Sequence, residues 1–289
     1  MRESLHRWSV HLQLGPAIAI LSLFFVVPLA MTFLWGFFPR TEFWMEPGFT
    51  LEAYASFFGT ERLDIYVRSL RLSVITVVVA LALGYPVAYF LARRLPEDLA
   101  FGLLFVFVLP FIISSVVRTL SWRTILGRQG TVNQLLVGVG VVNEPIDWLL
   151  FSEFAVIVGL VTATLPFVVF PVWLSIRTID DSLLEASADL GARPLTSVRR
   201  VTLPLSLPGV FAASIFVFVT AFGETIIPQL LGGAGFGTIG TSISSVLGVL
   251  NYPLAAALSS ISILTMLVLL GVWAYFFDLD SLITQGESA

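Results

Sequence analysis

The chain contains no cysteine and no lysine, and only two histidines. Charge of either sign is sparse, at 12% of 289 residues. Without cysteine there is no disulfide, no thiolate nucleophile and no thiolate metal site. Without lysine there is no G-x-x-x-x-G-K-[ST] phosphate loop, so the chain cannot hydrolyse ATP by that route. Both histidines, His6 and His11, fall in the N-terminal tail, which excludes a His-based triad or metal site among the apolar spans. In such a tail they read as solvated residues rather than metal ligands. A sequence pI of about 5.2 and the lack of a basic patch argue against nucleic-acid binding.

What the chain has in excess is apolar length. Hydrophobic residues make up 57% of it, the composition of a polytopic membrane protein. Charge-free runs cover residues 15–39, 72–92, 99–117, 154–176 and 201–223. Each is near the ~20 residues needed to cross a bilayer. The last run, 225–277, is too long for one helix and contains LGGAGFGTIG (Leu231–Gly240), too rich in glycine for a stable membrane helix. The reading is all-α, with six transmembrane spans at about 15–39, 68–92, 99–118, 154–177, 207–230 and 254–277. Tails occupy 1–14 and 279–289, and the membrane domain 15–278. Residues 243–250 are too short to cross and are expected as a small surface helix; Thr131–Gly140 is expected as a short amphipathic turn or helix. The first span exceeds the ~7–15 residues of a signal h-region and lacks a small-x-small cleavage site, so it reads as an anchor.

Charge orients these spans weakly. With both termini inside, the inner segments hold Arg2, Arg7, Arg93, Arg94, Arg177, Arg193, Arg199 and Arg200. The outer ones hold Arg40, Arg62, Arg68, Arg71, Arg118, Arg123 and Arg128. That is a slight positive-inside bias.

The most informative stretch is Ser182–Pro204, SLLEASADLGARPLTSVRRVTLP, a polar interval between apolar spans. Ser182 and Glu185 have the S-x-x-E spacing of a capping box. Leu183, Leu184, Ala186 and Leu190 form an apolar stripe at helical spacing. Gly191 suits a left-handed helix end, and Pro194 the first turn of a second helix. Two short helices with a glycine hinge are expected, a shape for pressing on a partner.

Glu185-Ala186-Ser187, three residues, Gly191, nine residues and then Val201-x-Leu203-Pro204 resemble the EAA signature of importer-type ABC transporter permeases. Ser187 stands where the pattern has a second alanine, and Val201 where it has isoleucine. The likeness extends over nearly the whole chain. Leu23–Pro39, Phe49–Phe58, Tyr66–Arg94, Leu109–Leu136 and GETIIPQLLGG (Gly223–Gly233) are similar to the spermidine/putrescine branch. That branch also includes permeases for opines, aminophosphonates and ferric iron. The resemblance implies the type I, MetI-like architecture and a bacterial plasma (inner) membrane location. It implies that Glu185, Ala186, Ser187, Gly191, Val201, Leu203 and Pro204 couple to a separate ATPase. Two ATPase subunits, a second and different permease chain and an extracytoplasmic binding protein are the implied partners. No cofactor would be bound by this chain; ATP and Mg would be used by the ATPase.

Inside the spans, Glu224 is the one carboxylate, and a charge there costs ~2.5–3.5 kcal/mol on insertion scales. Two roles fit it: an attractor for a cationic amine along the pathway, or a structural acid paired with an arginine such as Arg118 or bonded to backbone freed at Pro228. Pro166 and Pro171, with Thr162 and Thr164 one turn before, are expected to kink the fourth span where it borders the pathway. Arg118 and Arg123, which bracket Trp122, and also Trp148, Trp173 and Trp273, read as interfacial anchors. Glu144, Asp147 and Glu153 form an acidic outer stretch, read as solvated. A stand-alone secondary transporter would want several intramembrane ionisable groups, and a membrane enzyme would want His, Cys or paired acids. Neither set is present.

Overall fold

The computed structural model describes residue 16 and residues 19–276. The expected tails, with His6 and His11, lie outside the described residues, as do the outermost ends of the first and last spans. Along the chain, α1 (Ala19–Trp35) contains a wide π turn at Ser22–Val26, just before Pro28. Short α2 (Glu52–Phe57) precedes the 34-residue α3 (Thr60–Arg93). Then come α4 (Glu97–Ile112), α5 (Ser115–Leu126), α6 (Thr131–Gly138) and α7 (Glu153–Arg177). The polar interval holds α8 (Asp181–Asp189) and α9 (Pro194–Leu205). The remainder is α10 (Leu207–Gly223), α11 (Ile226–Leu231), α12 (Ile239–Gly248) and α13 (Tyr252–Phe276).

Of these, α3, α7 and α13 are long and apolar enough to cross a membrane unaided. Together with the shorter apolar α1, α4 and α10 they supply the six spans expected. The helix of the fourth span begins and ends within one residue of the expected bounds, and that of the sixth begins within two. Elsewhere the bounds need correction. The first span's helix stops at Trp35 rather than residue 39, and the second begins two turns early, at Thr60. The third, expected as one helix over 99–118, is broken: Ile113 is extended (ψ 136°) and α5 starts afresh at Ser115. The fifth, expected over 207–230, is broken at Glu224 (ψ 133°), and α11 is a separate helix. Both breaks fall in runs that are apolar on all sides, where periodicity carries no signal. Ser114–Ser115 and Glu224–Thr225 are the polar pairs at which the backbone finds local alternatives to the helix.

Two compact units are distinguished: residues 1–64 with 242–289, and residues 65–241. In the first, α13 packs against α1 and α2. The Tyr54 hydroxyl donates to the Phe33 carbonyl at 3.1 Å, and Trp44 packs on Tyr252 with ring centroids 4.7 Å apart.

In the second unit α7 is central. Val156, Leu160, Val168, Val169, Val172 and Ile176 on it are at most 1% exposed. One cluster joins Ala88 and Leu91 of α3, Leu104 of α4 and Ala213 and Val217 of α10 around Val168 and Val172. Another joins Leu72, Leu126, Ile227 and Leu231 around Val156 and Leu160. Hydroxyls in these surroundings return to their own helices: Thr76 donates to Leu72 O and Ser214 to Val210 O, at 2.8 and 2.7 Å. That removes the cost of burying an unsatisfied donor. The α7–α10 contact is close at Gly209 of α10. A Cβ built there would lie 2.5 Å from Ser175 Cβ and 2.6 Å from the Pro171 carbonyl oxygen of α7.

Because that obstruction includes backbone, it cannot be relieved by turning a side chain. Gly209→Val is expected to separate α10 from α7 and to destabilise the bundle by about 1–3 kcal/mol. Thermal unfolding in detergent reads this as a lowered midpoint; an unchanged midpoint would show that the two helices are not held at this distance.

Candidate functional site

The polar interval between α7 and α10 is built as two helices around a glycine turn. Asp180, rather than Ser182, caps α8: its carboxylate accepts the Ser182 N–H at 2.8 Å, and the helix starts at Asp181. The expected capping box is therefore not formed, because two aspartates precede Ser182 and the first of them takes the cap. That hydrogen bond holds the Asp180 carboxyl below its ordinary value. The cap's contribution is thus present above the usual carboxylate range and fades as pH falls through the lowered value.

At its other end α8 closes in a Schellman turn. Ala192 N–H donates to Ser187 O at 3.1 Å and Gly191 N–H to Ala188 O at 2.8 Å. Gly191 has φ +78° and a Cβ there would meet nothing, so its backbone conformation alone calls for glycine. Pro194 opens α9 in its first turn, as expected. The Ser187 and Ser197 hydroxyls meet at 2.7 Å across the turn and tie α8 to α9. Within α9, Val198–Thr202 form a π turn, and the helix then bends by 67° at Ser206 into α10.

The chemistry of this surface is apolar at its tip and basic at its flank. Leu190 is 89% exposed and Leu195 79%. Leu183, Ala186, Ser187, Arg193, Arg200 and Val201 help line a cavity of about 620 Å³ between the two helices. Glu185 is exposed, Leu203 and Pro204 lie on the exposed part of α9, and Val201 is half-buried. Six of the seven signature residues thus belong to two helices joined by the seventh, Gly191. Two large apolar side chains are thus held out on an otherwise polar segment.

The residues expected along the pathway are held by backbone contacts or packed within α7. Glu224 is not inside a helix but between α10 and α11. Its Oε1 accepts N–H groups of Thr225, Ile226 and Ile227 at 3.1, 2.9 and 3.4 Å, capping α11. Of the roles open to it, bonding to freed backbone is the one the structure shows. Thr164 is fully buried and donates to Leu160 O at 2.9 Å. Thr162 is half-buried and donates to Val158 O at 2.8 Å. Pro166 is half-buried, and α7 runs unbroken through it and Pro171.

The aromatic and charged residues also find partners within the chain. Trp173 is buried, 3% exposed, against Phe101 and under the Arg177 guanidinium, so it is a core residue rather than an interfacial anchor. Arg118 and Arg123 lie over Phe111 and Phe151 at 5.7 and 5.2 Å. Asp147 pairs with Arg128 at 3.4 Å and Glu153 with Arg71 at 2.5 Å. Among the described residues no three His, Cys, Asp or Glu side chains are gathered as a metal site.

Known proteins match this arrangement. A family model described as binding-protein-dependent transport system inner membrane component matches residues 12–278. The spermidine/putrescine transport system permease protein PotB of Escherichia coli (strain K12) is 37% identical over 227 residues, which is 78% of this chain and 82% of that protein. PotB of Haemophilus influenzae is 34% identical over 256 residues, 88% of each chain. A solved bacterial ABC transporter involved in the import of the acidic polysaccharide alginate superposes with TM-score 0.73 at 16% identity, over 95% of this chain and 96% of that one, a likeness of fold. With a family match over nearly its full length, the chain belongs to the inner-membrane permease components of binding-protein-dependent transport systems.

Proposed function

We propose that this permease imports a polyamine, of the spermidine or putrescine class, and that α8 and α9 are the surface through which a separate ATPase drives it. The observation that carries the second half is the pair of exposed leucines, Leu190 and Leu195, flanking a cavity on the segment that bears Glu185–Gly191 and Val201–Pro204. The substrate class is supported by the PotB relatives, named as spermidine/putrescine permeases. This chain is a transport subunit and not itself an enzyme; it would bind no cofactor, and ATP and Mg would be used by the partner. In the reading, both termini and α8–α9 face the cytoplasm. A second, different permease chain completes the pathway, two ATPase subunits dock below, and a binding protein delivers solute from outside. The apolar side chains exposed along α4, such as Phe101, Phe105 and Ile112, suit lipid or the second permease. Glu224, Thr162, Thr164 and Pro166 would shape the pathway, with Glu224 holding the α10–α11 break.

The complex, co-expressed with its neighbouring genes and reconstituted in lipid with its binding protein, is expected to hydrolyse ATP faster with spermidine or putrescine. Stimulation by another solute alone keeps the architecture and removes the polyamine assignment. If no ATPase associates with the chain, the coupling surface is misread. Gly191→Val forces a β-branched residue into φ +78°, at a cost of ~1–3 kcal/mol in the turn. It is expected to leave the protein in the membrane, bound to the ATPase, but to abolish solute-stimulated hydrolysis; loss of assembly instead would count against the hinge. Glu224→Gln keeps an acceptor oxygen for the α11 cap, so transport affinity should stay within about twofold, whereas Glu224→Ala exposes three N–H groups and should lower the yield of folded protein. A large affinity loss in Glu224→Gln would place the charge on the solute instead.

A further inference from the structure

The coupling segment is attached to α3 at both of its ends. At the beginning, Arg93 closes α3 with a side chain that is 12% exposed. It donates to Ile176 O at 2.9 Å and Ile179 O at 2.8 Å, where α7 ends, and pairs with Asp181, the first residue of α8. At the end, Ser206 is the buried elbow between α9 and α10, and its hydroxyl meets the Tyr85 hydroxyl at 3.0 Å. Tyr85 and Arg93 are about 12 Å apart along α3.

Pro86 lies between these two attachments. A proline removes one hydrogen bond of the helix ladder and makes a point at which the helix bends. Movement delivered only at Arg93 would be taken up there. The Tyr85 bond is a second attachment, on the N-terminal side of Pro86.

At its other end α3 is fixed to the glycine-rich loop that follows α11. Ser69 Oγ accepts the Ile239 N–H at 2.7 Å in a buried setting, and the Arg68 guanidinium lies 5.5 Å from the Phe236 ring centroid. Arg71 pairs with Glu153 at the start of α7. Ser69 and Arg93 are 24 residues apart, about 36 Å of helix.

We propose that α3 is the transmission element of this permease, with Arg93 and Tyr85 the positioning residues that attach it to the coupling segment, so that a stroke at α8 and α9 displaces the loop at Phe236–Ile239. The inference rests on α8–α9 being the ATPase-coupled surface, and its test separates the two. Because the chain has no cysteine, Leu135→Cys and Ala234→Cys introduce a single pair of spin-label sites in it, one on α6 and one in the loop. In the assembled complex in lipid, the distance between them is measured with and without ATP and vanadate, alongside ATP hydrolysis.

An ATP-dependent shift is expected in the labelled parent. Tyr85→Phe and Arg93→Gln should each shrink that shift while hydrolysis continues, and the two together should remove most of it. Tyr85→Phe is the milder change and serves where Arg93→Gln does not assemble. Tyr85→Phe, Ser206→Ala and their double variant should lose the same amount, since they break the same bond. A shift of full size in the variants, losses that add, or a loop that does not move with ATP while hydrolysis proceeds would each overturn the role of α3. Absence of any bound ATPase would instead remove the coupling reading on which it stands.

Discussion

The structure depends on one constraint: backbone polar groups in an apolar surround need partners. A helix supplies them internally, so the long spans need nothing else. Every interruption releases N–H or C=O groups, and the polar residues of this chain gather at the interruptions. Asp180 takes a donor where α8 begins, Arg93 covers carbonyls where α7 ends, and Glu224 takes three donors where α11 begins. Three of the few charged residues of the chain are thus fittings at helix ends.

Seen this way, α7 is the fixed member. It is the most buried of the long spans, and it lies against α3, α4, α10 and α11. The helices with breaks, α4–α5 and α10–α11, are arranged around it. The result is an unbroken central helix with interrupted neighbours.

Much of this was legible in the residues. Apolar run length located α7 and α13 nearly to the residue, and the glycine and proline spacing of 182–204 gave the two-helix turn with Gly191 in the left-handed conformation. The breaks at Ile113 and Glu224 were hidden because an all-apolar run looks alike whether the helix continues or stops. Only Ser114–Ser115 and the acid four residues before Pro228 hinted at them. The cap of α8 was misassigned because Asp180 and Ser182 both suit the role, and the sequence does not rank them. Arg93 and Tyr85 were missed altogether. Their partners, Asp181 and Ser206, lie 88 and 121 residues away, a separation no local pattern reports. An arginine pair ending one apolar run and an aspartate pair following another was the available signal.

The length of α3 has a mechanical meaning. Its 34 residues make a helix about 51 Å long, against a hydrocarbon layer of about 30 Å. It outreaches the layer, and in the proposed transmission role it would act as a lever arm. A tilt of about 5° about one end of such a rod moves the other by roughly 4 Å, a displacement larger than the length of a hydrogen bond. Small angular changes inside the packed bundle would thereby be enlarged into ångström-scale changes at the surface.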